Sequence, residues 1–147
     1  MKLRPAQTLG KHIKVKVSLL KANEEVVFVD FNGVGSNKVN WFSQDRILRS
    51  SFSDLPYSAS MNYASIAGSG AKGQRRFFLQ KNYGGCDVDA GWVVIADRLK
   101  PGGSDPCWWE QVKHVERPAF LYCPKESNCK NKEYVAADTF LILVQRA

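Results

Sequence analysis

The chain has 147 residues, 44% of them apolar and 12% aromatic, which suits one domain with its own core and excludes a disordered protein. Its formal charge of +7 is a local pole: Lys2, Arg4, Lys11, Lys14, Lys16 and Lys21 all precede the first acid, Glu24, and the rest of the chain is close to neutral. No apolar run approaches the ~18 residues of a spanning helix, so no membrane partner is expected.

In chain order, residues 1–11 read as a basic arm and residues 12–147 as a single globular β-rich domain without internal repeats. The opening MKLRPAQTLGKHIK has basic residues but no apolar stretch behind them, so the chain is either cytosolic or a processed chain or domain of a larger precursor, and the four cysteines favour the second. From His12 to Leu20, Ile13, Val15, Val17 and Leu19 alternate with Lys14, Lys16 and Ser18, the pattern of a half-buried strand with a basic outer face. Outward lysines also keep edge strands from pairing, but that accounts for two of the six bases. EVVFVDF (Glu25–Phe31) predicts a second strand, closed by Asn32-Gly33.

Lys38–Phe52 spaces Trp41, Asp45, Leu48 and Phe52 as a helix would, so one short helix is expected around residues 40–52, capped by Asn40 or Ser43 and ended at Leu55-Pro56. The preceding Gly33–Lys38 sits where a phosphate-binding turn would. However, Lys38 occupies the third glycine position of a dinucleotide fingerprint and no Gly-Lys-Ser/Thr follows, so it reads as a plain connection. Further strands are expected at Tyr63–Ile66, Arg75–Gln80, Trp92–Ala96, Trp108–Val112, Ala119–Cys123 and Thr139–Val144. TFLILV, apolar on both faces, predicts a central strand. The fold class is mainly β, antiparallel and sandwich-like with one short helix, with α+β as the alternative.

Candidate sites follow from charge and chemistry. Lys2, Arg4, Lys11, Lys14, Lys16 and Lys21 form an anion-binding cluster, and Arg75 and Arg76, after the glycine-rich 68–73 loop, supply two guanidinium groups suited to carboxylate or sulfate. Cys86, Cys107, Cys123 and Cys129 lack metal-ligand spacing and are read as two disulfides. Three pairings are open and Cys86–Cys107 with Cys123–Cys129 is favoured, which places the chain outside the cell. Asp87 and Asp89 imitate the start of a calcium loop but Arg98 stands where the closing glutamate belongs, so no cofactor is expected beyond a marginal calcium. Trp108 and Trp109 are adjacent, so in a strand one of them faces outward as a contact residue. His12 and His114 are the only histidines, and no nucleophile elbow or zinc motif occurs, so no enzyme is expected.

The ordered segments FNGVGSNKVNWFSQDRILRSSFSDLP, RRFFLQKNYGGCDVDAGWVVIAD, CWWE, PAFLYC and YVAADTFLILV resemble a module of extracellular proteins associated with the organic matrices of sponge and cnidarian mineral skeletons. The resemblance spans about residues 12–145 and implies a secreted, matrix-associated or self-assembling protein. It carries no catalytic residues. Together these readings predict a non-enzymatic extracellular binding or scaffold module for an anionic partner: an acidic protein, a sulfated glycan or a mineral surface such as silica. Nucleic acid fits the charge, but disulfides argue against that compartment. The alternatives are a lectin-like domain using exposed Trp and Tyr, with or without calcium, and a small intracellular cysteine-dependent enzyme.

Overall fold

Alternation in the sequence becomes two antiparallel sheets. The computed structural model describes residues 13–37, 40–55, 63–65, 75–82, 90–96, 118–124 and 134–146. Among these are nine strands: β1 (Ile13–Lys21), β2 (Glu24–Asn32), β3 (Ile47–Ser50), β4 (Tyr63–Ser65), β5 (Arg75–Asn82), β6 (Ala90–Ala96), β7 (Ala119–Tyr122), β8 (Val135–Ala137) and β9 (Thr139–Arg146). One sheet runs β3-β2-β1-β9 and the other β4-β5-β6-β7-β8, with every neighbouring pair antiparallel. The strand expected at Trp108–Val112 lies outside the described residues.

The first sheet follows the two-residue period. Ile13, Val15, Val17 and Leu19 are buried, and their partners Phe31, Val29 and Val27 across the β1–β2 register are buried with them. This face joins Leu79, Trp92, Val94, Leu121 and Ala137 of the second sheet in one apolar core, so the fold is the mainly β sandwich that the sequence predicts. Each fully buried Val, Leu or Phe contributes roughly 1.5–3 kcal/mol of transfer free energy.

Two expectations are corrected. Residues 40–52 form no α-helix: only Gln44–Arg46 makes a single 3-10 turn, and the chain then enters β3. The buried residues there are Phe42, Ile47, Phe52 and Leu55, which no helical face can collect, while Leu48 is exposed. Local polar bonds oppose the helix as well. Asn40 Oδ1 accepts the Asn37 N–H at 2.7 Å, Ser43 Oγ donates to the Asn40 carbonyl at 3.2 Å, and Ser43 makes no cap. Phe31 draws the segment onto the sheet, its ring meeting Trp41 edge-to-face and Phe42 at a tilt, at centroid distances of 5.6 and 5.1 Å.

The second correction concerns TFLILV. It forms β9, which among the described residues lies at the end of its sheet beside β1, not at its centre. The strand buried on both faces is β6, where Trp92, Val93, Val94 and Ile95 are all inaccessible. Apolar residues on both sides of a strand report side-chain environment, not the number of neighbours. Connectivity decides the neighbours: Asp138 alone separates β8 from β9, and β1, which receives β9, already pairs with β2 on its other side.

The β1–β2 turn is held by that same Asp138. Its N–H donates to the Leu20 carbonyl and its Oδ2 accepts the Ala22 N–H at 2.7 Å. Ala22 and Asn23 both have positive φ, 51° and 66°, the pairing of a two-residue type I′ hairpin loop. Asn tolerates that conformation, whereas Ala is strained there by about 1–2 kcal/mol. Ala22→Gly is therefore expected to stabilise the fold, by up to about 1 kcal/mol after the entropy that glycine adds to the unfolded chain. A rise in the urea midpoint at unchanged slope would show it; a fall would mean that the bond to Asp138 already removes the strain.

Candidate functional site: the basic face of the first sheet

The residues that alternate with the core of β1 and β2 form the outer face of the first sheet: Lys14, Lys16 and Ser18 from β1, Phe28 and Asp30 from β2, and Arg49 opposite Asp30 on β3. Lys14 and Lys16 lie on one face as expected, but β1 is an interior strand, so their role is not to guard an edge.

Both lysines are paired with acids. The Asp30 carboxyl is fully buried, and its Oδ2 receives Lys14 Nζ at 3.3 Å and Arg49 Nε from the other side. Asp30 Oδ1 is buried with no hydrogen-bond partner, so the carboxylate depends on those two cations. Lys16 Nζ sits 2.7 Å from Glu25, which also accepts a hydrogen bond from Ser18 Oγ. Burial pushes the Glu25 carboxyl up, but the hydrogen bonds from Lys16 and Ser18 and the charge of Lys16 outweigh it and hold the group below its ordinary value. Between the two pairs lies Phe28, with Lys16 Nζ 5.0 Å and Arg49 Cζ 5.1 Å from its ring centroid.

The face is thus a lattice of alternating charge bridged by one ring. Three cations meet two carboxylates, a surplus of one positive charge. Of the remaining basic residues of the pole, Lys21 is exposed at the end of β1 with no charged partner among the described residues, and Lys2, Arg4 and Lys11 lie outside them. Arg75 and Arg76 open β5, in the other sheet.

The loop after β2 uses its own polar groups internally. Gly33 N–H donates to the Ile13 carbonyl at 2.8 Å, Asn32 Oδ1 accepts the Val34 N–H, and Arg46 Nη1 donates to the carbonyls of Asn32 and Val34. A Cβ on Gly33 would come within 2.7 Å of the Ile13 side chain, so glycine stands there for close packing. With no α-helix following among the described residues, the position reads as a strand exit and not as a phosphate cradle.

The other candidates fall as follows. Trp92 and Tyr122 belong to the core, and Trp41 is half-buried against Phe31. Burial, with the charge of Asp138 added, raises the Tyr122 hydroxyl above its ordinary value. Trp108, Trp109, Asp87 and Asp89 lie outside the described residues, among which no three His, Cys, Asp or Glu side chains gather as metal ligands. Cys123 is buried and disulfide-bonded. Cys86, Cys107 and Cys129, and with them the expected pairings, lie outside the described residues.

Sequence reasoning missed Asp30, Arg49, Glu25 and Phe28 as parts of this surface. The alternation in EVVFVDF was enough to place Phe28 and Asp30 on one face. Arg49 was hidden because its segment carries a helical spacing. Comparison with family models, with curated proteins and with solved structures finds no match to this chain.

Proposed function

We propose that the chain is a non-enzymatic extracellular binding or scaffold module that engages an anionic partner, an acidic protein, a sulfated glycan or silica, through its basic N-terminal stretch. The observation that supports this reading is how β1 uses its cations. Lys14 is matched to Asp30 and Lys16 to Glu25, so the surplus charge of the pole falls on Lys2, Arg4, Lys11 and Lys21. Cations already engaged with carboxylates make a rigid base; cations ahead of any acid attract a polyanion, and salt screens them.

The test separates these two groups. Retention on heparin, silica and an acidic polypeptide is measured across a salt series for the wild type, for Lys2→Gln/Arg4→Gln/Lys11→Gln, and for Lys16→Gln. The arm variant is expected to lose most of the salt-sensitive retention with an unchanged melting curve. Lys16→Gln is expected to keep retention and to lose about 1 kcal/mol of stability, the upper end for surface ion pairs because the Lys16 side chain is only 19% exposed. Wild-type retention by the arm variant on every matrix would sink the reading.

A further inference from the structure

Asn32-Gly33 is the only Asn-Gly step in the chain, and it lies where β2 leaves the sheet. In such a step the glycine nitrogen can attack the asparagine side chain, because no Cβ crowds the approach. One feature of the fold favours this reaction and another blocks it. Asn32 is exposed, and its Oδ1 accepts the Val34 N–H at 3.0 Å, closing an Asx turn around the Asn32–Gly33 peptide. A backbone N–H on that oxygen polarises the amide and stabilises the negative charge that builds there under attack, as an oxyanion hole does. The block is on the nucleophile. Gly33 N–H donates to the Ile13 carbonyl at 2.8 Å, so the attacking nitrogen is held in the β1–β2 ladder. Ile13 grips the step a second time with its buried side chain, whose Cγ2 lies 2.7 Å from where a Cβ on Gly33 would stand.

This latch sits at the end of the ladder. Lys14 and Asn32 are the outermost pair of the β1–β2 register, and the Ile13–Gly33 bond lies just beyond them. Ladder ends open more often than their middles. We propose that Asn32 is a conditional modification site, intact while Ile13 holds Gly33 and converted to an acid when that end of β1 opens. In the open state the Gly33 nitrogen bonds to Asn32 Cγ, the Cγ–Nδ2 bond breaks, and Nδ2 leaves as ammonia with the proton that the Gly33 nitrogen loses. Water then opens the resulting succinimide at one carbonyl or the other, giving aspartate or isoaspartate. Solvent water is the only co-reactant.

The product matters because of where it falls. Ile13 and Gly33 form a hydrogen-bonded pair, so Lys14 and Asn32 form the closer, non-hydrogen-bonded kind, with their side chains on the outer face of the sheet. A carboxylate at position 32 meets Lys14 and competes with Asp30 for it. Three cations then face three carboxylates, and the lattice loses its surplus positive charge. Isoaspartate does more: it routes the chain through the former side chain, adding a backbone carbon just before Gly33, so the bond to Ile13 no longer closes in register. The inference stands apart from anion binding and is tested without any polyanion present.

Peptide mapping of the full chain separates asparagine, aspartate and isoaspartate at position 32, and is followed over time in native buffer and in urea at one pH and temperature. The native rate should be at least about tenfold below the urea rate, because a reaction confined to the open state runs in proportion to the open fraction. Hydrogen exchange reports the same opening without any variant: the Gly33 amide should exchange faster than the amide of Val29 in mid-strand. Ile13→Ala should speed native conversion by about tenfold, whereas Leu19→Ala, which empties a similar core volume at the far end of β1, should speed it much less. Equal rates in native buffer and urea would overturn the proposal, since the Ile13 bond would then block nothing. Equal acceleration by the two variants would overturn it too, because global unfolding would then be the route. A wild-type Gly33 amide that exchanges no faster than that of Val29 overturns it even where Ile13→Ala fails to fold.

Discussion

Trp92→Ala should cost about 3–5 kcal/mol of unfolding free energy, a large share of what a domain of this size has to lose. Trp92 is 1% exposed at the heart of β6, the strand buried on both faces. Its carbonyl accepts the Cys123 N–H at 2.8 Å, and its indole Nε1 donates to Asp54 Oδ1 at 2.8 Å. Asp54 follows β3, so the indole ties the loop leaving the first sheet to the centre of the second. Loss of the ring opens a cavity where both sheets meet and leaves Asp54 without this donor.

Two further variants divide that loss into packing and polar parts. Asp54→Ala keeps the ring but leaves a buried indole N–H unsatisfied, at a cost of about 1–3 kcal/mol. Trp92→Phe removes donor and some volume together and should fall between Asp54→Ala and Trp92→Ala. Urea denaturation followed by far-UV circular dichroism gives all three on one scale without relying on the tryptophan being replaced. A Trp92→Ala midpoint within error of the wild type would mean that β6 is not the common wall of the two sheets.

The sequence revealed strand positions where side chains alternate and failed where environment depends on partners distant in the chain. Ile13, Val15, Val17 and Leu19 were legible as a core face, because a strand with one buried side imposes that period on its own residues. The helix expected over 40–52 failed because Trp41, Asp45, Leu48 and Phe52 satisfy a helical spacing by coincidence. The pull of Phe31 on Trp41 and Phe42, and of β2 on Ile47–Ser50, arises from a strand that the segment itself does not contain. The edge position of β9 was illegible for the same reason: TFLILV states what its side chains prefer, and the topology sets how many strands it meets. At the candidate site, six bases before the first acid were plain to read. That two of them are matched by Asp30 and Glu25 required the β1–β2 register, in which Lys16 lies opposite Asp30 and Lys14 opposite Asn32, so that the ion pairs run partly along diagonals.

Those diagonals make Asp30 the residue where the basic face becomes a matter of stability. Replacing both of its cations, as Lys14→Met/Arg49→Met, should destabilise the fold by about 3–5 kcal/mol, because it strands a fully buried carboxylate whose ion-pair partners among the described residues are those two cations. Either single replacement should cost less than half as much, since the remaining cation still reaches Oδ2 and since Arg49 and Lys14 are themselves 63% and 32% exposed. Adding Asp30→Val to the double variant should restore most of the loss: it removes the stranded charge and sets a β-branched apolar residue between methionines. The three steps form a cycle whose coupling energy is read from urea midpoints. Additive losses, with no recovery on adding Asp30→Val, would mean that solvent reaches Asp30 and that the lattice is an ordinary surface pair. Recovery would show that Lys14 and Arg49 serve the buried carboxylate first, which leaves the cations before β1 to meet any anion from outside.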